Sequence, residues 1–283
     1  MGFHIKPATF VGHVKIKVEN LERSLKFYQD VLGFNILEQS ISTVKLTSDG
    51  KTSILSLELP DKVIPKQRGT TGLYHFAILL PERTDLANIV IHLVNKGIKF
   101  GSSDHLVSEA LYLNDPDGNG IEIYIDRDPS KWNWKGEEVA MTVDPLDFEN
   151  LLTTVKPGEK WQGMPEGTVM GHIHLHVSEL KKTEEFYVKG LGFDVVNRYG
   201  GQALFLSTGK YHHHIGLNTW NGAGAPTPSL NSVGLESFTL ILPNEEVRNH
   251  VVSNLKKIGA NVMEVNHSFI THDPSGNKIE LTV

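Results

Sequence analysis

The chain of 283 residues contains no cysteine. That absence rules out disulfide staples, thiolate zinc sites, iron–sulfur clusters and cysteine nucleophiles, so any metal must be held by nitrogen and oxygen. No run of eighteen apolar residues occurs, and Met1 to Phe10 shows neither a long apolar stretch nor a small-residue cleavage pattern. A cytoplasmic protein with no membrane contact is expected. Positive charge is scarce as well: 27 basic against 33 acidic side chains leave a net charge of −6 and no polybasic stripe. Nucleic acid is therefore not an expected partner, and a small neutral or anionic molecule is. What is plentiful is histidine, with 14 copies. The length suits one large or two medium domains whose core needs no covalent staples.

The chain is an internal repeat. Gly12-His13-Val14-Lys15-Ile16-Lys17-Val18, with Leu21, Phe27-Tyr28 and Leu32-Gly33-Phe34, recurs 159 positions later as Gly171-His172-Ile173-His174-Leu175-His176-Val177, with Leu180, Phe186-Tyr187 and Leu191-Gly192-Phe193. A weaker pair links His75–Pro81 to Ser237–Pro243, and Asp115-Pro116-Asp117-Gly118-Asn119 to Asp273-Pro274-Ser275-Gly276-Asn277. Each half divides again. Residues 10–18, 72–80, 170–177 and 234–242 read as strands, and each is followed by a helical stretch. In the first, Leu21, Leu25, Tyr28 and Leu32 fall at helical spacing, with Asn20 as N-cap and Gly33 as stop. Short strand-like runs such as Thr43–Leu46, Ser53–Leu59, Ala110–Leu113 and Ile121–Ile125 come next, punctuated by Asp-Gly turns. The expectation is four βαβββ units, two in residues 9–128 and two in 169–283. Residues 129–168 form a linker long enough to wrap onto the fold, and Leu146–Leu152 can make a helical turn or two.

A half-buried strand carries apolar residues on one face and polar ones on the other. Along 171–177 this puts Ile173, Leu175 and Val177 on one side and His172, His174 and His176 on the other. The repeat then defines equivalent positions: His13, His75, His172 and Ser237 on the first strands, Glu122 and Glu280 on the last. Two imidazoles and one carboxylate on one face of a metal leave adjacent positions open, and without sulfur the expected metal is non-haem Fe(II) or Mn(II).

Four stretches carry a family resemblance. They are Gly171-His172, the run Tyr211-His212-His213-His214-Ile215-Gly216-Leu217, Leu73-Tyr74-His75-Phe76, and Asp104-His105 through Leu111-Tyr112-Leu113-Asn114-Asp115-Pro116-Asp117-Gly118-Asn119-Gly120-Ile121-Glu122-Ile123-Tyr124. The pattern resembles the vicinal oxygen chelate superfamily, which includes glyoxalase I and bleomycin-resistance proteins. Within it the chain is most similar to the type I extradiol ring-cleavage dioxygenases of the catechol 2,3-dioxygenase kind. The resemblance implies an α+β fold of two tandem domains, each a pair of βαβββ units. It also implies a site of two histidines and a glutamate on iron, a histidine base on a neighbouring strand, a further histidine, and a tyrosine four residues before the proline of the Asp-Pro turn.

In most relatives that set comes from the third and fourth units. Here the fourth unit has Ser237 at the ligand position and Ile270 at the tyrosine position, and only Glu280 matches. The second unit supplies His75, Tyr112 and Glu122. If unit one pairs with unit two, the first histidine is His13, and the base position falls near Thr52. If unit two pairs with unit three, it is His172, with His213 as base and His105 nearby. The second arrangement completes the set and requires unit one to pair with unit four; His13 stays as the alternative ligand.

The implied activity is Fe(II)-dependent cleavage of a catechol, or of a substituted or hydroquinone-like ring, beside its hydroxyls, with O2 as co-substrate and a 2-hydroxymuconic semialdehyde-type product. His75, His172 and Glu122 would hold the metal. His213 would take a hydroxyl proton, and Tyr112 and His105 would donate hydrogen bonds to the substrate oxygen or the developing peroxide. Relatives are often homo-oligomers. Two other functions suit the scaffold. A glyoxalase-like isomerase or thiol transferase needs a fourth ligand, for which Glu58 is the candidate, Gly216 being the residue at that position in unit three. A non-catalytic aromatic-drug-binding protein needs no metal. His212 and His214 are alternatives to His213 as base, His174 and His176 are cup-lining or exposed, and His4, His92, His250, His267 and His272 are surface or loop residues. His13 and Glu280 read as the relic of a second metal cup.

Overall fold

The computed structural model describes residues 2–266 and 268–283. Unit one comprises β1 (Phe10–Lys17), α1 (Leu21–Asp30), β2 (Asn35–Gln39), β3 (Thr43–Thr47) and β4 (Leu55–Glu58). Unit two repeats the order as β5 (Gly72–Leu79), α2 (Arg83–Asn95), β6 (Gly101–Asp104), β7 (Ser108–Asn114) and β8 (Gly120–Asp126). The linker adds a 3-10 turn at Pro129–Lys131, the short strands β9 (Trp134–Lys135) and β10 (Glu138–Val139), and α3 (Phe148–Leu152). Unit three is β11 (Val169–His176), α4 (Leu180–Glu185) continuing as a π-helical turn at Phe186–Gly190, β12 (Asp194–Tyr199), β13 (Ala203–Ser207) and β14 (Ile215–Asn218). Unit four is β15 (Gly234–Ile241), α5 (Glu245–Lys257), β16 (Val262–Val265), β17 (Ser268–His272) and β18 (Lys278–Thr282).

The helices start where short polar side chains satisfy orphan amides. Asn20 accepts from the Arg23 amide and Asn244 from the Val247 amide, each the third residue of its helix. The chain leaves the first helix through Gly33, whose φ of +85° is open to glycine. Unit three departs from its duplicate here: the helix that is regular in unit one slackens into the π turn, where Gly190 lies against Leu255 of α5 and Ile258 just after it.

Two curled eight-stranded sheets result, ordered β16-β17-β18-β15-β1-β4-β3-β2 and β12-β13-β14-β11-β5-β8-β7-β6. Unit one therefore pairs with unit four and unit two with unit three, and each half of the chain gives one unit to each sheet. Buried tyrosines tie together the two units of a half. Tyr28 donates to Asp115 Oδ2 at 3.0 Å, and Tyr187 donates to Asp273 Oδ2 at 3.3 Å. Those aspartates organise the duplicated turns. Asp115 accepts from the amides of Asp117 and Asn119, and Asp273 from those of Ser275 and Asn277.

One apolar core runs through both sheets, with Val14, Leu55, Phe76, Ile123, Ile173, Phe238 and Leu281 fully buried in it. The linker joins this core through Leu146, Leu151 and Met164. Trp132 and Val139 fill a second cluster with Val107, Val196 and Tyr211. The wrapping expected from the linker's length is what the structure shows.

Gly171 marks a close approach. A Cβ there would lie 2.0 Å from the hydroxyl oxygen of the fully buried Tyr124. Gly171→Ala is expected to overpack this contact and cost about 1–3 kcal/mol, read as a lowered midpoint in chemical denaturation with an unchanged m-value.

Candidate metal centre

The site sits where β5 is sandwiched between β11 and β8. The antiparallel register sets His174 opposite His75 and His172 opposite Ala77, and the parallel register on the other side sets Ala77 beside Glu122. Residues two apart share a strand face, so His75, Ala77, His172 and His174 all look into one concave cup. Ala77 stands between His172 and Glu122, and its small side chain lets them meet above it. His172 Nε2 is 3.1 Å from Glu122 Oε2, and His75 Nε2 is 2.9 Å from the same oxygen.

These donor atoms lie within 4.8 Å of one another, and all three residues are buried. Close as it is to the carboxylate, His75 Nε2 makes no hydrogen bond, and neither does Nδ1 of His172. A buried polar atom without a partner is costly, and a ligand-binding nitrogen explains this one. Burial pushes His172 down to about 4, so its ring is neutral. Burial alone would raise the Glu122 carboxyl, but contacts with His172 and His75 outweigh it and hold the group well below the usual range. A neutral His172 beside an ionised Glu122 is the state in which these groups can bind a divalent metal.

Against His75 and Glu122 lies a cavity of about 370 Å³, lined also by His105, Tyr112, His174, His213, Tyr74 and Trp220. Tyr112 pairs with Glu122 across β7 and β8. Its hydroxyl is 2.6 Å from His105 Nε2, while His105 Nδ1 donates to the Thr142 carbonyl at 2.5 Å. In the neutral ring, Nε2 is then the acceptor of the tyrosine proton. Burial, with Glu122 beside it, pushes the Tyr112 phenol well above its usual value and keeps it protonated. His213 packs against His172, ring centroids 4.0 Å apart and planes inclined by 47°.

Its neighbours turn away from the cup. His212 bonds Asp126 Oδ1 at 2.8 Å, and His214 Nε2 bonds the Phe3 carbonyl at 3.0 Å. Of the three consecutive histidines only His213 lines the cavity.

The alternative first ligand is elsewhere. His13 is on β1 in the other sheet, bonded to Ser56 Oγ at 2.8 Å, because unit one pairs with unit four. There Ser237 donates to Glu280 Oε1 at 2.9 Å. His13 and Glu280 of that second cup thus each meet a hydroxyl, and His75, Glu122 and His172 are the only ligand cluster among the described residues. Glu58 is also in that sheet, paired with Lys15 at 3.5 Å. At Gly216, a Cβ would fall 2.8 Å from the His174 ring, so the imidazole occupies the space a fourth ligand would need.

Two placements differ from the surface and loop roles expected from the sequence. His4 bonds the Gly171 carbonyl at 2.8 Å and packs against Tyr211 and His214, because the segment before β1 folds back over unit three. His92 is half-buried and bonds the Val31 carbonyl at 3.1 Å. His250 and His272 are exposed, and His267 lies outside the described residues. His176 is half-buried, bonded to Asn218 Oδ1 at 2.7 Å. The sequence reading missed Phe205, Trp220 and the linker residues Met141, Thr142 and Val143 as lining of the cup. Tyr74 and Trp220, whose rings meet at 5.2 Å, carried no repeat signal.

A sequence profile of the Glyoxalase/Bleomycin resistance protein/Dioxygenase superfamily matches residues 10–123 and 169–281. The chain belongs to this superfamily. Among curated members, the catechol-2,3-dioxygenase of Bacillus subtilis is 46% identical over 269 residues, 94% of each chain. Biphenyl-2,3-diol 1,2-dioxygenase 3 of Rhodococcus globerulus is 31% identical over 119 residues, 41% of this chain and 63% of that one. Glyoxalase I of Zea mays superposes with a TM-score of 0.59 at 16% identity, covering 96% of this chain and 92% of that one, a likeness of fold. No helix among the described residues is long and apolar enough to cross a membrane.

Two outcomes follow from this superfamily member's cup. His172→Ala is expected to abolish stoichiometric metal binding while His13→Ala retains it, measured by metal analysis after reconstitution and desalting. Burial also pushes His13 down to about 4, from the 6.5 of an exposed ring. Between these values the unfolded chain binds protons that the folded chain refuses, so stability is complete above pH 6.5 and falls as pH drops toward 4. The metal-free protein should lose on the order of 2 kcal/mol for each of His13 and His172 by pH 5, and His13→Gln should flatten that slope in denaturation curves.

Proposed function

We propose that the chain is an Fe(II)-dependent extradiol dioxygenase that opens the ring of a catechol, or of a substituted or hydroquinone-like diol, beside its hydroxyls. One observation carries the reading: His213, Tyr112 and His105 line the same small cavity as His75 and Glu122, two members of the His75–Glu122–His172 triad. Three protein ligands leave coordination positions for both a chelating diol and O2, and His174 over Gly216 denies the site a fourth ligand. The likeness to the Bacillus subtilis catechol-2,3-dioxygenase supports the same choice. A cavity near 370 Å³ suits a single-ring diol, at the small end of ligand sites.

Iron, when bound, would supply Lewis acidity and a path for electrons from the diol to O2. The chain's own residues do the rest. His75, Glu122 and His172 are the holders. His213 faces the diol with a nitrogen free of protein partners and takes the proton of one hydroxyl. The Tyr112 hydroxyl, whose proton rests on His105 Nε2, would turn it to a substrate oxygen, and the aromatic wall of Tyr74, Phe205 and Trp220 excludes water and packs the ring. Both oxygen atoms of O2 enter a 2-hydroxymuconic semialdehyde-type product. Manganese is the other metal this ligand set accommodates. The reading places the protein in the cytoplasm with no membrane or nucleic-acid partner, and as a homo-oligomer like many such enzymes.

Anaerobic loading with Fe(II) or Mn(II), followed by O2 uptake against a panel of catechols and hydroquinones, tests the proposal. Uptake with a yellow ring-opened product is expected with one of the two metals; activation by Ni(II) or Zn(II) without O2 would overturn it. His213→Ala is expected to keep its metal and lose roughly 10²–10⁴-fold in kcat; unchanged turnover would remove His213 as base.

A further inference from the structure

The histidine that faces the cup is the end of a buried chain of hydrogen bonds that starts at a carboxylate. Asp126 closes β8, four residues after Glu122, and its Oδ1 accepts from His212 Nε2 at 2.8 Å and from the Tyr211 hydroxyl at 3.1 Å. Tyr211 in turn lies 2.7 Å from the Tyr124 hydroxyl. On its other side, His212 Nδ1 is 2.8 Å from Nδ1 of His213. His212 is fully buried between the rings of Tyr211 and Trp132, at 4.1 and 5.3 Å, and cannot turn to another partner.

The polarity of this chain follows from what each atom can do. A carboxylate only accepts, so His212 Nε2 carries a hydrogen. In a neutral His212 the remaining nitrogen, Nδ1, is bare and must accept, which places a hydrogen on His213 Nδ1. A neutral His213 then has a bare Nε2, and this is its nitrogen without a protein partner, on the ring that lines the cup.

We propose that Asp126 and His212 are positioning residues: they fix the tautomer of His213 so that Nε2 meets the substrate as a lone pair, and they balance the proton it receives. This rests on the dioxygenase reading only for the substrate, an un-ionised ring hydroxyl. When that O–H bond breaks, a new N–H bond forms at His213 Nε2. The Nδ1 hydrogen of His213 can pass to His212 Nδ1, leaving the positive charge beside the Asp126 carboxylate. One proton moves from the diol to the histidine pair, and no electron is transferred. The sequence marks His213 and its two neighbours but not Asp126, which reaches them only through the pairing of unit two with unit three.

Two measurements test the arrangement. Nitrogen-15 NMR of the histidines in the full-length, metal-free chain should show Nδ1–H and bare Nε2 for His213, and Nε2–H with bare Nδ1 for His212. The opposite tautomer at His213 overturns the proposal whether or not the chain cleaves diols. In the Fe(II)-loaded enzyme, Asp126→Asn should lower kcat for catechol on the order of 10–100-fold, with KM and metal content within about twofold. With 4-nitrocatechol, whose hydroxyl is already ionised in solution, the loss should shrink to under about threefold, since little is left for the base to do. Equal losses on both substrates overturn the proposal and mark Asp126 as merely structural. Tyr211→Phe removes the other hydrogen bond to the same carboxylate and should keep both rates within about threefold of the parent. Should the parent enzyme turn over no diol with any metal, the dioxygenase reading fails while the tautomer pattern still decides the chain of hydrogen bonds.

Discussion

The antiparallel pairing of β5 with β11 is the contact on which the site depends. It sets His75 opposite His174 and, two residues along, His172 opposite Ala77, while β8 brings Glu122 to the other side of the same alanine. A slip of one residue would send both histidine faces into the apolar core, where Phe76, Ile78, Ile173 and Leu175 now pack. Hydrophobic burial thus enforces the register, and the register enforces the ligand geometry. Ala77 is the least conspicuous member of this arrangement, yet a larger side chain there would part His172 from Glu122.

Electrostatics explain why one cup differs from the other. Burying a carboxylate with no balancing cation costs several kcal/mol, on the order of the cost of breaking a buried ion pair. Glu122 has two imidazole nitrogens crowded against it and one of them is unsatisfied. The corresponding Glu280 is answered by the Ser237 hydroxyl, and His13 by that of Ser56. In the second cup the histidine and the carboxylate each meet a hydroxyl, whereas the first keeps an arrangement that is uncomfortable without a cation.

Much of this was legible in the sequence because duplication turns position into information. The spacing of 159 residues identifies His13 with His172, and the Asp-Pro turns align Glu122 with Glu280. Ser237 and Ile270, standing at the ligand and tyrosine positions of unit four, point to units two and three as the pair that holds a site, and the sheet order has that pairing. Side chains outside the repeat carried no such signal. Met141, Thr142 and Val143 come from a linker without periodicity, Trp220 from the turn after β14, and His4 from a position expected on the surface or in a loop. Their positions follow from tertiary packing alone, as does the link from Asp126 to His213.

The exchange of units between sheets also shapes how the molecule is made. β5 and β11 are separated by about ninety residues, and β1 meets β15 across most of the chain. Contacts of that range raise the contact order and slow folding, because loop closure must precede the reward of pairing. During synthesis neither half can complete a sheet by itself, so unit one waits with an open edge until unit four emerges. Nascent chains would therefore expose strand edges for much of translation, a period in which chaperones or dilution decide between assembly and aggregation.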